Sequence, residues 1–307
     1  MVDRSLLVWP LAALLIASAA AQQPGFARVF DHHMVLQRDA PVRVWGWGEP
    51  GAEASVRFAD QEQRAIVDDQ GRWEVTLAAS PASSEGRLLT LATGAVRIEL
   101  RDVVVGEVWI CGGQSNMAWT VRSTRDADLE VACAHDPLLR FVRMPLEARG
   151  APRRDYVRPE HGGAGKSWRV IEPRSVGDCT AVGYYFAQRL RRRLGVPVGL
   201  VDVSWGGTLA QFWVSKPRLR EIASVAPMFA QFEEQLASWL EAGGEQGAQQ
   251  RYEAALAAWQ QARAAAAEAG EKVPKKPVFG PYEDPRTKRH PGGGYDGMLA
   301  PLRGLTA

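Results

Sequence analysis

The feature that most constrains this chain is an apolar run, Val103–Cys111, that ends in Gly112 and Gly113 just before Ser115, in the sequence VVVGEVWICGGQSNM. A run rich in β-branched residues indicates a buried strand. Two glycines allow the backbone to turn sharply and a ligand to approach closely. We therefore predict that Ser115 is an exposed nucleophile at the end of a strand, near the start of a helix.

The residues around this serine separate two classes of serine hydrolase. Met117 stands where the G-x-S-x-G turn of an α/β-hydrolase has its second glycine, so that fold is disfavoured. A helix-capping role for Ser115 is the alternative interpretation of the motif. Gln114 and Asn116 flank the serine and are candidates for binding substrate.

Composition excludes several classes of function. The chain has 307 residues, is 46% hydrophobic and 23% charged, and carries a net charge of +2. This balance is typical of a globular protein and is too weakly basic to indicate a nucleic-acid partner. The sequence has no C-x-x-C or H-x-x-x-H spacing, so we predict neither a metal nor another cofactor. Cys111 is expected to be a buried thiol, and pairing of Cys133 with Cys179 is left open.

The N-terminus has the pattern of a secretory signal peptide. Arg4 precedes an apolar run, Leu6–Ile16, and small residues follow as far as Ala21. This order predicts cleavage after Ala21 and an exported protein, secreted or periplasmic. The apolar run is shorter than the ~20 residues that a membrane span needs, so no membrane anchor is expected.

Residues 22–101 are predicted to form a β-sandwich-like module. The segments Val42–Trp47 and Arg72–Leu77 alternate polar and apolar residues between turn signals, as short strands of a sandwich do. Trp45, Trp47 and Trp73 could bind sugar, but tryptophan at such positions is more often part of a core. We favour the core interpretation.

Residues 102–307 are predicted to form an α/β domain. Thr180 is a candidate N-cap, Gly195 a helix stop, and Val198–Val203 the strand that follows. A helix that leads into a strand through a short loop is typical of a parallel sheet. The residues expected to form the buried face of this helix are Val182, Tyr185, Phe186, Leu190 and Leu194. A helical insertion is predicted at about 218–270, with Pro227 interrupting or kinking its first helix.

The second strand leads into another pair of glycines, in the sequence Ser204-Trp205-Gly206-Gly207-Thr208. Open α/β sheets place their ligand sites at the carboxyl ends of strands. Acyl transfer needs backbone N–H groups aimed at the developing oxyanion, and glycine allows that approach. Gly206 and Gly207 are both candidates, and the pattern does not choose between them. Ser204 is a rival nucleophile, although a turn role suits it better.

Two segments, GEVWICGGQSNM and VPVGLVDVSWGGTLAQFW, resemble the first two blocks of SGNH hydrolases as they occur in the sialate O-acetylesterase family. HHMVLQRDAPVRVWGWGEPG and DDQGRWEVTL resemble the N-terminal region of the same family. The resemblance implies a flavodoxin-like three-layer domain in which Ser115 attacks an acetyl ester. It also implies that the Ser115 N–H and that of Gly206 or Gly207 hold the oxyanion, and that the substrate is an acetylated carbohydrate, such as sialic acid or a plant-type glycan.

The family's base belongs to a D-x-x-H block, and the sequence has no such block. The segment HPGGGYDGMLAPL resembles one that, in the family, precedes a strand and later site blocks. We therefore expect a C-terminally truncated esterase that is inactive alone. The alternative is a non-catalytic carbohydrate-binding protein with a degenerate hydrolase domain. A third possibility makes His135, His161 or His290 a substitute base.

Overall fold

The computed structural model describes residues 23–157, 167–277, 284–287 and 290–307. The predicted signal peptide, residues 1–21, and His161 lie outside the described residues. The strands are β1 Gly25–Phe26, β2 Val35–Gln37, β3 Val42–Trp47, β4 Glu53–Phe58, β5 Gln61–Ile66, β6 Arg72–Leu77, β7 Ser83–Thr93, β8 Val96–Gly113, β9 Asp136–Arg143, β10 Arg169–Ile171 and β11 Val198–Ser204. The helices are α1 Ser115–Ala118, α2 Ala127–Cys133, α3 Ala181–Leu194, α4 Lys216–Arg220, α5 Ala226–Glu241 and α6 Gly244–Ala269.

The N-terminal part is built from two sheets that share an apolar core. One sheet has the order β1-β3-β6, and the predicted bounds of β3 and β6 agree with the structure. The other sheet contains β4, β5 and β7 next to the first half of β8. Trp45, Trp47 and Trp73 are all buried, with at most 6% of their surface exposed. The core interpretation of these tryptophans is therefore confirmed.

Strand β8 belongs to both parts of the molecule. Its first half pairs antiparallel with β7, and its second half pairs parallel with β11. The eight-stranded sheet runs β10-β9-β11-β8-β7-β4-β5, with β2 also on β8. The predicted boundary between residues 101 and 102 thus falls inside one continuous strand. At this point Asp102 has φ +56°, and its carboxylate is bonded to the buried Arg140.

The second half of β8 has a neighbour on one side only. Within the described residues, no strand pairs with residues 107–113 on the side opposite β11, and we call this side the open edge. The Val108 N–H donates to Oε1 of Gln37 and therefore points toward the open edge. Strand alternation makes the backbone groups of Ile110 and Gly112 point the same way. Trp109 and Ile110 are 42% and 44% exposed, which is unusual for a central strand of a sheet.

Helix α3 begins and ends as predicted, but of the five residues expected to form its buried face only Leu190 is partly buried against the core. The Gly183 N–H donates to Oγ1 of Thr180, and Gly195 ends the helix with φ +70°. Val182, Tyr185 and Phe186 are 40–51% exposed. The buried residues are instead mostly small: Ala181, Gly183, Tyr184 and Ala187. Small residues let α3 pack closely on the sheet, and on its exposed side the Phe186 ring lies against the exposed ring of Trp109, with the ring centroids 4.9 Å apart.

The predicted helical insertion is present as α4, α5 and α6. Pro227 lies in the first turn of α5, where its missing N–H costs nothing, so it starts that helix and does not kink it. Gly243, with φ +88°, separates α5 from α6. Among the described helices, none combines the length and the apolar character of a membrane span.

Candidate active site

Ser115 is the first residue of α1, two residues beyond the end of β8. The chain can turn there because Gly113 has φ +145°, a conformation that side-chain-bearing residues rarely adopt. The Ser115 side chain is exposed, and its Oγ donates a hydrogen bond to Oε1 of Gln114 at 2.9 Å. Gln114 and Asn116 are exposed as well. The predicted nucleophile is therefore accessible and flanked by two amide side chains.

Gly206 lies directly beside Ser115. The strand register pairs Ser204 of β11 with Gly113 of β8, so the two turns leave the sheet side by side. A Cβ placed on Gly206 would lie 3.6 Å from both Cα and Oγ of Ser115. The two segments that the sequence singled out are thus adjacent. Gly207, with φ +79°, is exposed on the far side of the same turn.

Three hydrogen bonds hold this turn. The Trp205 N–H donates to the carbonyl of Gly113 at 3.0 Å, which ties the turn to the end of the nucleophile strand. Thr208 Oγ1 donates to the carbonyl of Trp205 at 2.8 Å. The same oxygen accepts the indole N–H of Trp213 at 2.9 Å. A turn held at both ends keeps its backbone N–H groups in fixed directions, as an oxyanion site requires.

Ser204 is not placed to act as a nucleophile. It is 1% exposed, and its Oγ donates to Oδ1 of Asp202 at 2.5 Å. The Ser204 N–H donates to the same oxygen at 2.9 Å. Arg143 Nε lies 3.5 Å from Oδ2 of Asp202, at the end of the neighbouring strand β9. Burial raises the pKa of Asp202, while these bonds from Ser204 oppose the rise.

The structure brings no described histidine to Ser115. Nδ1 of His33 lies 2.7 Å from Oδ2 of Asp102, and Nδ1 of His32 accepts the backbone N–H of Arg101. Asp102 and Arg101 both belong to the first half of β8. His135 lines a small cavity together with Cys133. His290 is 7% exposed and stacks on Phe232, with the ring centroids 4.4 Å apart. Burial, aided by Lys216, lowers the pKa of His290 to about 4. Neither His135 nor His290 therefore serves as a base for Ser115 in this arrangement.

The three cysteines are free thiols. Cys133 is exposed at the end of α2, whereas Cys179 is fully buried, so the pairing left open by the sequence is not made. Cys111 is buried as expected, and burial, with a contribution from Asp202, raises its pKa to about 12. In the described ranges, no group of three or more His, Cys, Asp or Glu side chains is arranged to hold a metal ion.

Sequence reasoning missed the supports of the site. Asp202 lies in the predicted strand β11, and Arg143 lies in β9, which was not predicted. In the sequence, nothing about Thr208 or Trp213 indicates that they hold the turn beside Ser115. Their roles depend on contacts between different elements. The one available signal was the polar Asp202 inside an otherwise apolar strand, since a buried carboxylate needs hydrogen-bond partners.

Comparison with known proteins finds relatives that are named as sialate O-acetylesterases. The chain is 28% identical over 227 residues to the sialate O-acetylesterase of Mus musculus, covering 67% of this chain and 41% of that protein. It is 27% identical over 214 residues to the Homo sapiens sialate O-acetylesterase, covering 64% of this chain and 39% of that protein. No family model matches the chain. The chain thus spans well under half the length of these curated relatives.

A solved structure shares the fold. The crystal structure of a carbohydrate acetylesterase from Xanthomonas citri matches with a TM-score of 0.65 and 27% identity, covering 92% of this chain and 49% of that one. The chain therefore has the α/β fold of a carbohydrate acetylesterase. Its sequence is similar to sialate O-acetylesterases, and the relatives and the solved structure are all named as esterases.

Proposed function

We propose that this chain supplies the nucleophile and the oxyanion site of a serine esterase that removes O-acetyl groups from carbohydrates. The observation that carries the proposal is the contact between Ser115, at the end of β8, and the Gly206 turn, at the end of β11. The names of the relatives supply the substrate class, because these relatives are acetylesterases acting on sialate or other carbohydrates.

The reaction begins when Oγ of Ser115 attacks the acetyl carbonyl carbon. The negative charge that develops on the carbonyl oxygen is held by backbone N–H groups, those of Ser115 and of Gly206 or Gly207. We favour Gly206 of the two glycines because a Cβ built on it would lie 3.6 Å from Oγ of Ser115, which places this residue next to the nucleophile. The C–O bond to the sugar then breaks, the sugar leaves as an alcohol, and water later releases acetate from Ser115.

The Ser115 proton needs an acceptor that the described residues do not offer. General-base assistance contributes roughly 10²–10⁴-fold to such reactions, so turnover without it is expected to be slow. We propose that the acceptor is an imidazole from outside the described residues, and that free imidazole in solution substitutes for it in part.

The test uses p-nitrophenyl acetate with increasing imidazole, on the chain and on its Ser115→Ala variant. We expect release of p-nitrophenol that rises with imidazole and that the variant lacks, above the reaction of imidazole itself. An acetyl group on Ser115, detected by peptide mass spectrometry, would identify the nucleophile. Equal rates for the chain and the variant, with no acetylated Ser115, would exclude the esterase.

A non-catalytic carbohydrate-binding protein is the second candidate, and the absence of a described histidine beside Ser115 favours it. Binding of an acetylated sugar without any Ser115-dependent ester cleavage, with or without imidazole, would support this candidate. Burial of Trp45, Trp47 and Trp73 removes them as its binding residues.

We also propose that the protein is exported, on the basis of the signal-peptide pattern in residues 1–21. N-terminal sequencing of protein recovered from outside the cytoplasm should begin at Gln22. Recovery of an intact N-terminus from the cytoplasm alone would contradict export.

A further inference from the structure

Trp119 is the most exposed tryptophan among the described residues. Its side chain is 56% exposed, while Trp45, Trp73, Trp168 and Trp239 are buried. The other exposed tryptophan, Trp109, lies on the second half of β8 with its ring against Phe186. An exposed tryptophan leaves a large apolar ring in contact with water, which is unfavourable. A ring that is exposed and also fixed in position therefore suggests a binding surface.

Trp119 follows Ser115 by four residues, directly after α1. Residues four apart in a helical turn lie on the same face, one above the other. The side chains of Trp119 and Ser115 therefore leave the backbone on the same side of this turn. Trp109, by contrast, precedes Ser115 within the strand and packs on the α3 side of the sheet.

The Trp119 ring is held in place without being buried. Its indole N–H donates to the carbonyl of Ser123 at 2.8 Å, so the polar edge of the ring already has a partner. Its backbone carbonyl accepts the N–H of Ala181 at 2.8 Å, and the next residue, Thr120, bridges to Thr180. These bonds tie the segment to the start of α3 and leave the face of the ring free for an apolar ligand surface.

We propose that Trp119 is the stacking platform for the sugar ring whose acetyl group Ser115 attacks, an inference that rests on the proposed function. A pyranose ring presents a face of C–H groups, which suits an aromatic ring, while its hydroxyl groups point outward. The exposed amide side chains of Gln114 and Asn116 directly flank Ser115 in the sequence and offer donors and acceptors for those hydroxyls. A rigid ring holds the sugar at low entropic cost and thereby selects acetylated pyranosides over simple acetate esters.

The test measures sugar binding in a Ser115→Ala background, so that the ester is not consumed. The probes are the methyl glycoside of O-acetylated N-acetylneuraminic acid and acetylated xylotriose, followed by saturation-transfer NMR and calorimetry. Adding Trp119→Ala should weaken the binding of one or both probes by about tenfold or more and remove saturation transfer to the axial ring protons. Trp119→Phe, which keeps an aromatic face but not the indole N–H, should retain part of the affinity.

The matched control is Trp109→Ala in the same background, which removes the other exposed tryptophan and should leave binding within about twofold. Circular dichroism confirms that each variant is folded. Unchanged binding in Trp119→Ala, or an equal loss in Trp109→Ala, would overturn the platform. Absence of binding by the parent would also overturn it, whereas the esterase itself is decided separately by Ser115-dependent cleavage of p-nitrophenyl acetate.

Discussion

The two glycines of the turn beside Ser115 are expected to respond oppositely to the same substitution. Gly206 has no positive φ, and an added Cβ would meet Ser115 atoms at 3.6 Å, an ordinary contact distance. Gly207 has φ +79°, where any side chain is strained. Gly206→Ala should therefore fold normally and change the chemistry, while Gly207→Ala should change the stability.

The magnitudes follow from these conformations. Alanine at a position whose backbone it accepts without strain raises the free energy of unfolding by roughly 0.4–1 kcal/mol, by restricting the unfolded chain. Alanine in the left-handed region costs about 1–2 kcal/mol. The two variants should thus differ in stability by about 2 kcal/mol. The Gly206→Ala methyl group would also stand where the acetyl carbonyl approaches Oγ of Ser115, which should slow acylation by about 100-fold.

The assay combines urea unfolding, followed by tryptophan fluorescence, with acetylation of Ser115 in the presence of imidazole. Gly51→Ala is the matched control, because Gly51 has φ +81° and open space around it, far from the site in sequence. It should lose the same stability as Gly207→Ala and react normally. Equal stability of the Gly206 and Gly207 variants, or normal acetylation in Gly206→Ala, would refute the geometry described for this turn.

Three further outcomes are expected. Burial lowers the pKa of His290 to about 4, so below pH 6.5 the unfolded chain binds more protons than the folded chain and the free energy of unfolding decreases as the pH is lowered. In urea unfolding, His290→Phe should remove about 2 kcal/mol of the decrease between pH 7 and pH 5, and an unchanged dependence on pH would contradict this. We expect the chain to self-associate through the open edge in sedimentation experiments, and Ile110→Lys should reduce this association because charge blocks pairing of edge strands; a monomeric parent chain, or equal association of the variant, would contradict this. A thiol reagent should label exposed Cys133 in the folded chain and spare Cys111 and Cys179, until urea exposes all three; rapid labelling of a buried thiol would contradict the packing around β8.

Local pattern predicted the elements that one segment specifies by itself. The alternation in Val42–Trp47 and Arg72–Leu77 and the cap residues of α3 all appear in the structure at the expected positions. Strand β9, Asp136–Arg143, was not predicted because Pro137 and the charged Arg140 interrupt its apolar pattern. Arg140 is nevertheless buried, since the Asp102 carboxylate and three backbone carbonyls satisfy its guanidinium group.

The sequence predicts the two strand ends that form the candidate site, but it does not predict that they lie side by side. Ser115 and Gly206 each follow an apolar strand in the sequence, yet only the pairing of Ser204 with Gly113 makes them neighbours. The wrong face of α3 has the same origin. Helical periodicity identifies an apolar stripe, but which stripe is covered depends on the strands beside the helix, and Val182 and Tyr185 lie on the side that the described residues leave uncovered.

Strand β8 extends from the N-terminal sheets to the nucleophile without a break, over 18 residues. At about 3.3 Å per residue, its backbone path is roughly 60 Å long. Such a shared strand makes the two parts mechanically and thermodynamically one body, because neither sheet can lose β8 without the other losing it too. Heating should therefore melt both parts in a single cooperative transition, and removal of the β module would cut away half of the strand that leads to Ser115.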